Sequence, residues 1–343
     1  MSYDIPRAFH AQSTACEGLG SVFMGRLMAL CAERLRSGNA VTDRVLGWQG
    51  DPRPQADNVP LRLAGALHAL RIEGLALDAV YPPNDVSDDA LWSAVKAAFD
   101  AHQNRILQWL ESAPQTNEVR RAAAILPALA LVEERFGTPI ELFELGTSGG
   151  LNLFADHFCL ELPRATMGIS TSPVRLSPDW TGPLPPLSLP KIVGRTGVDL
   201  NPLDPTRPED QLRLLAYLWP DQPDRMERTR AAIGLASNNP AQIYCADAGQ
   251  WLSDQLERPS SVGRVVFHTV ARQYFPQATR VAVDAAMIAA AKRATEDAPL
   301  VHLSMEADGG KGAAVDLTMW PGGETHEIAR ADFHGRWINW TGL

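Results

Sequence analysis

Cysteine, histidine and net positive charge are all scarce in this chain of 343 residues, and each shortage narrows what it can be. The four cysteines, Cys16, Cys31, Cys159 and Cys245, are scattered and form no C-x-x-C pair. That excludes a disulfide scaffold and leaves reduced, buried thiols as the expectation. The eight histidines include no H-E-x-x-H, and there is no carboxylate-rich calcium loop, so no metal site is legible. Lys and Arg number 31 against 40 Asp and Glu, a formal charge of −9, which argues against a broad nucleic-acid surface. No apolar run is long enough to span a bilayer, and "MSYDIPRAFHAQSTACEG" lacks the basic start and apolar stretch of a signal peptide. The expectation is a cytoplasmic protein whose partner is a small molecule, with no nucleic acid and no membrane involved. Internal repeats are also missing.

What is present is a globular composition, 45% hydrophobic and 21% charged, with chain enough for one large or two ordinary domains. Residues 1–136 read almost wholly as helix. In "LGSVFMGRLMALCAERL", Leu19, Phe23, Leu27 and Leu30 recur at helical spacing, with Arg26 and Glu33 between them. "DDALWSAVKAAFDAHQNRILQWLES" reads similarly, with Ser87 or Asp88 as its N-cap, and "NEVRRAAAILPALALVEERFG" should kink at Pro127 and end at Gly137. A helical N-terminal or cap domain is expected over 1–136.

From residue 137 the pattern changes to short apolar runs between helices. Strands are expected at 139–145, 194–200, 241–248, 264–270, 299–306, 314–320 and 325–331. Such alternation predicts an α/β domain over 137–343, built on a parallel, doubly wound, Rossmann-like sheet. "PGGE" should join the last two strands into an antiparallel hairpin at the sheet edge. Residues 163–190 hold seven prolines, so the segment 160–193 is expected to be an insertion, an ordered loop or flap rather than a helix or central strand.

The stretch "ELFELGTSGGLNLF" (141–154) admits two readings. Gly146-Thr147-Ser148-Gly149-Gly150 fits G-x-S-x-G, the nucleophile elbow of a serine hydrolase. Asp199, Asp247, His268, His326 and His334 would then be candidate triad partners. That elbow, however, needs strands and an oxyanion loop upstream, where only helix is read. Read from Glu144, the same residues give E-x-G-x-S-x-G, similar to the acidic glycine-rich loop with which methyltransferases hold S-adenosylmethionine. A dinucleotide fingerprint would need glycine at Ser148 and Leu151, which makes NAD a poor fit.

The cofactor reading places ligands beyond the carboxyl ends of the strands, where strand order switches. Gly146 and Gly150 would let backbone pass under the ligand, and a helix starting at 150–152, with Asn152 in it, would offer free N–H groups. Ser148 is acceptable there if its φ is negative and its hydroxyl contacts the ligand. Glu144 ends its strand with a charge. Asp199 would accept from a ribose diol, although it follows Gly146 at more than twice the usual interval of about 20 residues. Asp247 would take the adenine amino group, with Ala248 against the ring. Helix capping is the competing role for both acids. His268 is the candidate base, or else a satisfied core histidine, with Tyr274 as a second polar group. Asn117 and Glu118 either cap the following helix or point into the site toward substrate. Arg120 and Arg121 are read as a solvated face.

"QTNEVRRAAAILPAL" (115–129), "ELGTSGGLNLF" (144–154), "GVDLNPLD" (197–204), "AYLWPDQPDR" (216–225), "VVFHTVARQYFP" (265–276), "LTMWPGGE" (317–324) and "FHGRWINW" (333–340) together resemble the bacterial family named domain of unknown function 2332. The resemblance implies a fold similar to S-adenosylmethionine-dependent methyltransferases behind a helical N-terminal part. It implies no particular acceptor.

Overall fold

The computed structural model describes residues 4–343. The chain divides into two compact units: residues up to 116 with 208–227, and residues 117–207 with 228–343. Helices α1 (Ile5–Gly18), α2 (Val22–Arg34), α3 (Ala40–Leu46), α4 (Val59–Ile72), α5 (Asp88–Ala101) and α6 (Gln103–Leu110) belong to the first unit. Helix α7 (Ala122–Phe136) belongs to the second, and α8 (Pro208–Ala216) returns to the first. Helix α9 (Pro223–Asn238) runs across the last boundary, and α10 (Ala248–Glu257) and α11 (Gln277–Ala291) lie in the second unit. The division therefore falls ahead of α7, where the change of periodicity suggested 136. Helix α7 lies with the sheet because it packs on the sheet's later strands.

Polar caps start the first unit's helices. Asp4, Ser21, Asn39, Asn58 and Ser87 each accept an N–H from the first turn that follows, supplying partners that a helix start otherwise lacks. Phe9, Leu27, Leu63, Leu67 and Phe99 are fully buried in its core, with Tyr217 and Trp219 of the returning segment among them. That segment is also hydrogen-bonded in. Ser21 Oγ donates to Asp221 Oδ1 (2.6 Å), the Phe23 N–H donates to Asp221 Oδ2 (3.0 Å), and His68 Nδ1 meets the Ala216 carbonyl at 3.1 Å.

In the second unit β1 (Ile140–Leu145) is followed by β2 (Cys159–Leu162), β3 (Ala165–Gly168) and β4 (Arg175–Leu176), which form a small sheet of order β3-β2-β4. Next come β5 (Asp179–Thr181), β6 (Ile192–Asp199), β7 (Gln242–Cys245), β8 (Gly263–Thr269) and β9 (Leu300–Ala307). The last three are β10 (Ala313–Trp320), β11 (Thr325–Ala331) and β12 (Trp337–Trp340). The large sheet has the order β5-β12-β11-β10-β9-β8-β1-β6-β7. Strands β7, β6, β1, β8 and β9 are parallel neighbours, and β10, β11 and β12 continue antiparallel. An α/β unit with a large, mostly parallel sheet follows a helical N-terminal region, as periodicity predicts.

Two details differ from expectation. The β10–β11 hairpin is interior, because β12 and β5 extend the sheet beyond it. The proline-rich segment supplies β5, whose three residues sit at the edge, where a strand bonded on one side tolerates prolines nearby. Cys16, Cys31 and Cys159 are buried, but Cys245 is exposed. Among the described residues no helix is long and apolar enough to cross a membrane.

The fit of Tyr217 against α4 gives a direct test. A Cβ on Gly65 would stand 2.4 Å from the Tyr217 ring. In a solvated helix Gly→Ala gains about 1 kcal/mol. Here Gly65→Ala is expected to lose about 1–3 kcal/mol by overpacking, read as a lower denaturation midpoint; an unchanged or higher midpoint contradicts this packing.

Candidate functional site

Parallel strands direct attention to their carboxyl ends. Strands β6 and β7 lie on one side of β1, and β8 and β9 on the other, so the winding reverses between β1 and β8. Such a reversal leaves a crevice beyond the strand ends where ligands bind in open α/β sheets. Both chain segments leaving that point are strained. Ser148, after β1, has φ +53°, and Val270, after β8, has φ +51°. A left-handed serine is uncommon and a left-handed β-branched residue is an outlier, and such strain concentrates where surrounding structure and function demand it.

Beside the β1 loop lies a set of buried polar side chains: Asn117, Glu118, Glu144, Thr147, Ser148 and Asn152. Thr147 Oγ1 donates to Glu144 Oε2. Asn117 Oδ1 accepts from the Leu151 N–H (2.9 Å), and Asn152 Nδ2 donates to the Glu118 carbonyl (3.2 Å). The Ser148 N–H donates to Asp199 Oδ2 and the Asn201 N–H to Asp199 Oδ1, both at 2.9 Å. Asp199, at the end of β6, thus holds the β1 loop from the neighbouring strand, and it does not cap a helix. Two buried atoms, Ser148 Oγ and Asn152 Oδ1, have no hydrogen-bond partner among the described residues. Each such group costs about 1–3 kcal/mol unless something else satisfies it.

Glu144 is 2% exposed. Burial pushes its pKa up to about 8; the Thr147 hydroxyl opposes that, Asp199 adds to it, and Arg121 opposes it more weakly. A carboxyl so perturbed near the carboxyl end of a central strand makes the β1 loop a candidate site. Arg121, expected on a solvated face, instead ties this region together. Its Nε donates to the Phe333 carbonyl and its Nη1 to the Thr269 carbonyl, each at 2.9 Å.

Several expectations for individual residues change here. Ser148 has positive φ, which a negative-φ position under a cofactor would not. Gly146 and Gly150 make room for protein: a Cβ on them would stand 2.7 Å from Ala271 Cβ and 2.6 Å from Ile243 Cδ1. Residues 151–157 form a short 3-10 turn rather than the expected α-helix start, and its Leu151 N–H is already taken by Asn117. Asp247 is the N-cap of α10, accepting from the Gly249 and Gln250 N–H groups and the Thr279 hydroxyl. Those bonds hold its carboxyl below the usual range, the Thr279 hydroxyl most of all. Ala248 is buried in the first turn of α10. Glu118 caps the 3-10 turn before α7, whereas Asn117 points to the β1 loop.

The proposed bases also move. In the β1–β8 register Phe143 pairs with Val266 and Glu144 with Phe267. Paired residues share a face and successive residues alternate, so Glu144 and His268 lie on opposite faces. Val266 packs with Trp251, Leu252, Val283 and Met287 of α10 and α11, which places His268 on the side of those helices. His268 is 1% exposed. Its Nδ1 meets Glu306 Oε1 at 2.8 Å and its Nε2 meets His302 Nε2 at 3.1 Å. Tyr274 is 73% exposed and joins neither group. Roles for Thr147, His302 and Glu306 were not read from the sequence, and Arg121 was read only as a solvated face. His302, Ser304 and Glu306 recur every second residue in "VHLSME", a signal that one strand face is polar.

No cluster of three His, Cys, Asp or Glu is arranged to hold a metal ion among the described residues. Beside β1 the fold brings together the Asp199 carboxylate, the Ser148 hydroxyl, the Asn152 amide oxygen and a Glu144 carboxyl that burial holds toward its neutral form.

Stability should record Glu144. Its folded pKa, about 8, lies above its ordinary 4.5. Its contribution is therefore fully present below about pH 4.5, is lost as pH rises toward 8, and is level beyond. Glu144→Gln, which keeps an oxygen for Thr147, should remove that slope and be the more stable variant at pH 8. Denaturation midpoints at both ends of the range measure it; parallel pH profiles would show that Glu144 is not buried uncharged.

Among curated proteins none matches the chain. A family model does match it over residues 6–340, and on that span the chain belongs to DUF2332, described as an uncharacterized protein conserved in bacteria.

Proposed function

We propose that the protein is an S-adenosylmethionine-dependent methyltransferase of Rossmann-like type, acting on a small-molecule acceptor. The observation that carries the proposal is the strained β1 loop at the winding reversal, with Ser148 Oγ and Asn152 Oδ1 buried and unpartnered and Asp199 beside them. The five parallel strands follow the 3-2-1-4-5 order of nucleotide-binding doubly wound sheets. The fit is uneven. The ends of β1 and β6 offer an acid, a hydroxyl and an amide oxygen suited to a ribose and its substituents. At the end of β7, Asp247 is spent on helix capping, so adenine selection falls to backbone and to Ala248.

When bound, S-adenosylmethionine supplies an already activated methyl group. The residues of this chain would then hold it: Asp199 would accept from hydroxyls, Ser148 and Asn152 would meet polar atoms, and Glu144, held toward its neutral form, would keep the Thr147 hydroxyl in place beneath the loop. Rate comes mainly from alignment and exclusion of water. His268 does not serve as the direct base, because both ring nitrogens are engaged on the other face.

A serine hydrolase shares one feature, the strained φ at the serine. Its nucleophile needs a hydrogen-bonded base, and Ser148 Oγ has none among the described residues.

Titration calorimetry with S-adenosylhomocysteine tests the proposal. Wild type should bind, and Asp199→Asn, which keeps one acceptor oxygen for the loop, should weaken binding about ten- to a hundredfold through the lost charged hydrogen bonds. Ser148→Ala should weaken it about three- to tenfold. Absence of binding, or equal affinity in Asp199→Asn, overturns the proposal. Fluorophosphonate labelling that disappears in Ser148→Ala would establish the hydrolase instead.

A further inference from the structure

A groove near the edge of the large sheet stands apart from the winding reversal. It has a volume of about 530 Å³, is half open to solvent, and is lined by β5, β11, β12 and Lys311 of the β9–β10 loop. That volume lies within the range of about 300–1,000 Å³ usual for small-molecule sites.

The floor of the groove is one face of three strands. In register Asn339 pairs with Arg330 on one side and Thr181 on the other, and Trp337 pairs with Asp179. Paired residues share a face and successive residues alternate, so these five side chains stand together. Ile338, between Trp337 and Asn339, faces the other way and is 1% exposed, so it offers the groove only backbone.

The walls are fixed without a ligand. Arg330 makes five hydrogen bonds, as many as a guanidinium has N–H groups. Its Nη1 donates to Asp308 Oδ2 (2.7 Å) and Glu327 Oε2 (3.1 Å), its Nη2 to Asp308 Oδ1 (2.8 Å) and the Lys311 carbonyl (3.2 Å), and its Nε to that same carbonyl (3.3 Å). The loop "DGGKG" (308–312) can lie this close only where it lacks side chains. A Cβ on Gly312, at φ +68°, would stand 2.6 Å from the Trp337 ring, and one on Gly310 would strike the Arg330 guanidinium.

The groups left open define the ligand. Asp179 and Lys311 are exposed and have no ion-pair partner among the described residues. Lys311 Nζ stands 5.4 Å from the centroid of the Trp337 ring. Asn339 Oδ1 accepts from the Thr181 hydroxyl (2.9 Å), which leaves its Nδ2 to donate. The open set is one aromatic ring, one carboxylate, one ammonium and one amide donor, and its charges cancel.

We propose that the groove binds a neutral saccharide, with one sugar ring laid on Trp337 and its hydroxyls shared among Asp179, Asn339 and Lys311. A pyranose carries C–H groups on its faces and hydroxyls around its rim. The C–H groups suit the negative face of an indole. Each hydroxyl donates, as Asp179 requires, and accepts, as Asn339 and Lys311 require. A phosphate or nucleotide would call for several free cationic donors, and Arg330 has none to give. A wholly apolar ligand would cover Asp179 and Lys311 without pairing them. Walls already held in place keep the ordering cost of binding small.

NMR of the indole N–H groups in the intact chain tests the site, with Trp337→Phe assigning the Trp337 signal. Maltotriose, cellotriose and triacetylchitotriose are the probes. At least one should shift the Trp337 signal to saturation, and saturation transfer from the protein should reach its ring C–H protons. Asp179→Asn, at an exposed position, should weaken that binding about three- to tenfold. Saturation transfer should vanish in Trp337→Ala and persist in Trp337→Phe, which keeps an aromatic face and separates lost stacking from lost fold. No response to any of the three sugars, an affinity unchanged in Asp179→Asn, or a Trp337 signal moved by AMP and by no sugar overturns the proposal. The S-adenosylhomocysteine titration involves none of these residues, so either proposal can fail alone.

Discussion

Where the winding of a parallel sheet reverses, two neighbouring strands send their chains to opposite sides, and no helix can cover the gap between them. In this protein that constraint falls between β1 and β8. Both chains leave it through a left-handed residue with a side chain, Ser148 and Val270. Each costs about 1–3 kcal/mol and persists only where its surroundings dictate it. Asp199 supplies that restraint for Ser148 through its N–H, and Glu306 supplies it beyond Val270 through two N–H groups. The polar chemistry of the second unit is organised around these two anchored turns.

Strand alternation then separates the chemistry. Glu144 falls on one face with the buried amides and hydroxyls of the β1 loop, and His268 falls on the other with His302 and Glu306. A single pocket using Glu144 and His268 together, as their positions at neighbouring strand ends suggest, is incompatible with a period of two. The faces also differ in proton affinity. Glu144 is held toward its neutral form, whereas Glu306 is held toward its anion. The difference lies in partners: one hydroxyl for the first, a ring and two backbone N–H groups for the second.

The fold was largely readable because periodicity reports burial. Strand runs such as "PIELFEL" and "RVVFHTV" coincide with β1 and β8 to within a residue or two. The interior place of the β10–β11 hairpin was not readable, since β5 comes from the proline-rich segment and pairs with a strand far along the chain. Nor was the first unit's recruitment of 208–227, which rests on long-range contacts such as Asp221 with Ser21. In the site, Glu144 and Asp199 were identifiable as polar residues at strand ends, and Ser148 as part of the glycine-rich loop. The capping of Asp247 and the engagement of Leu151 by Asn117 were not, because hydrogen-bond partners distant in sequence decide them.

The central claim is that the anchored β1 loop is where a nucleoside ligand rests. Amide hydrogen exchange, compared with and without S-adenosylhomocysteine, addresses it most directly. The account predicts slower exchange confined to residues 144–152 and 198–203, with the sheet core unchanged. Protection located elsewhere, or none in those segments at saturating ligand, would contradict it.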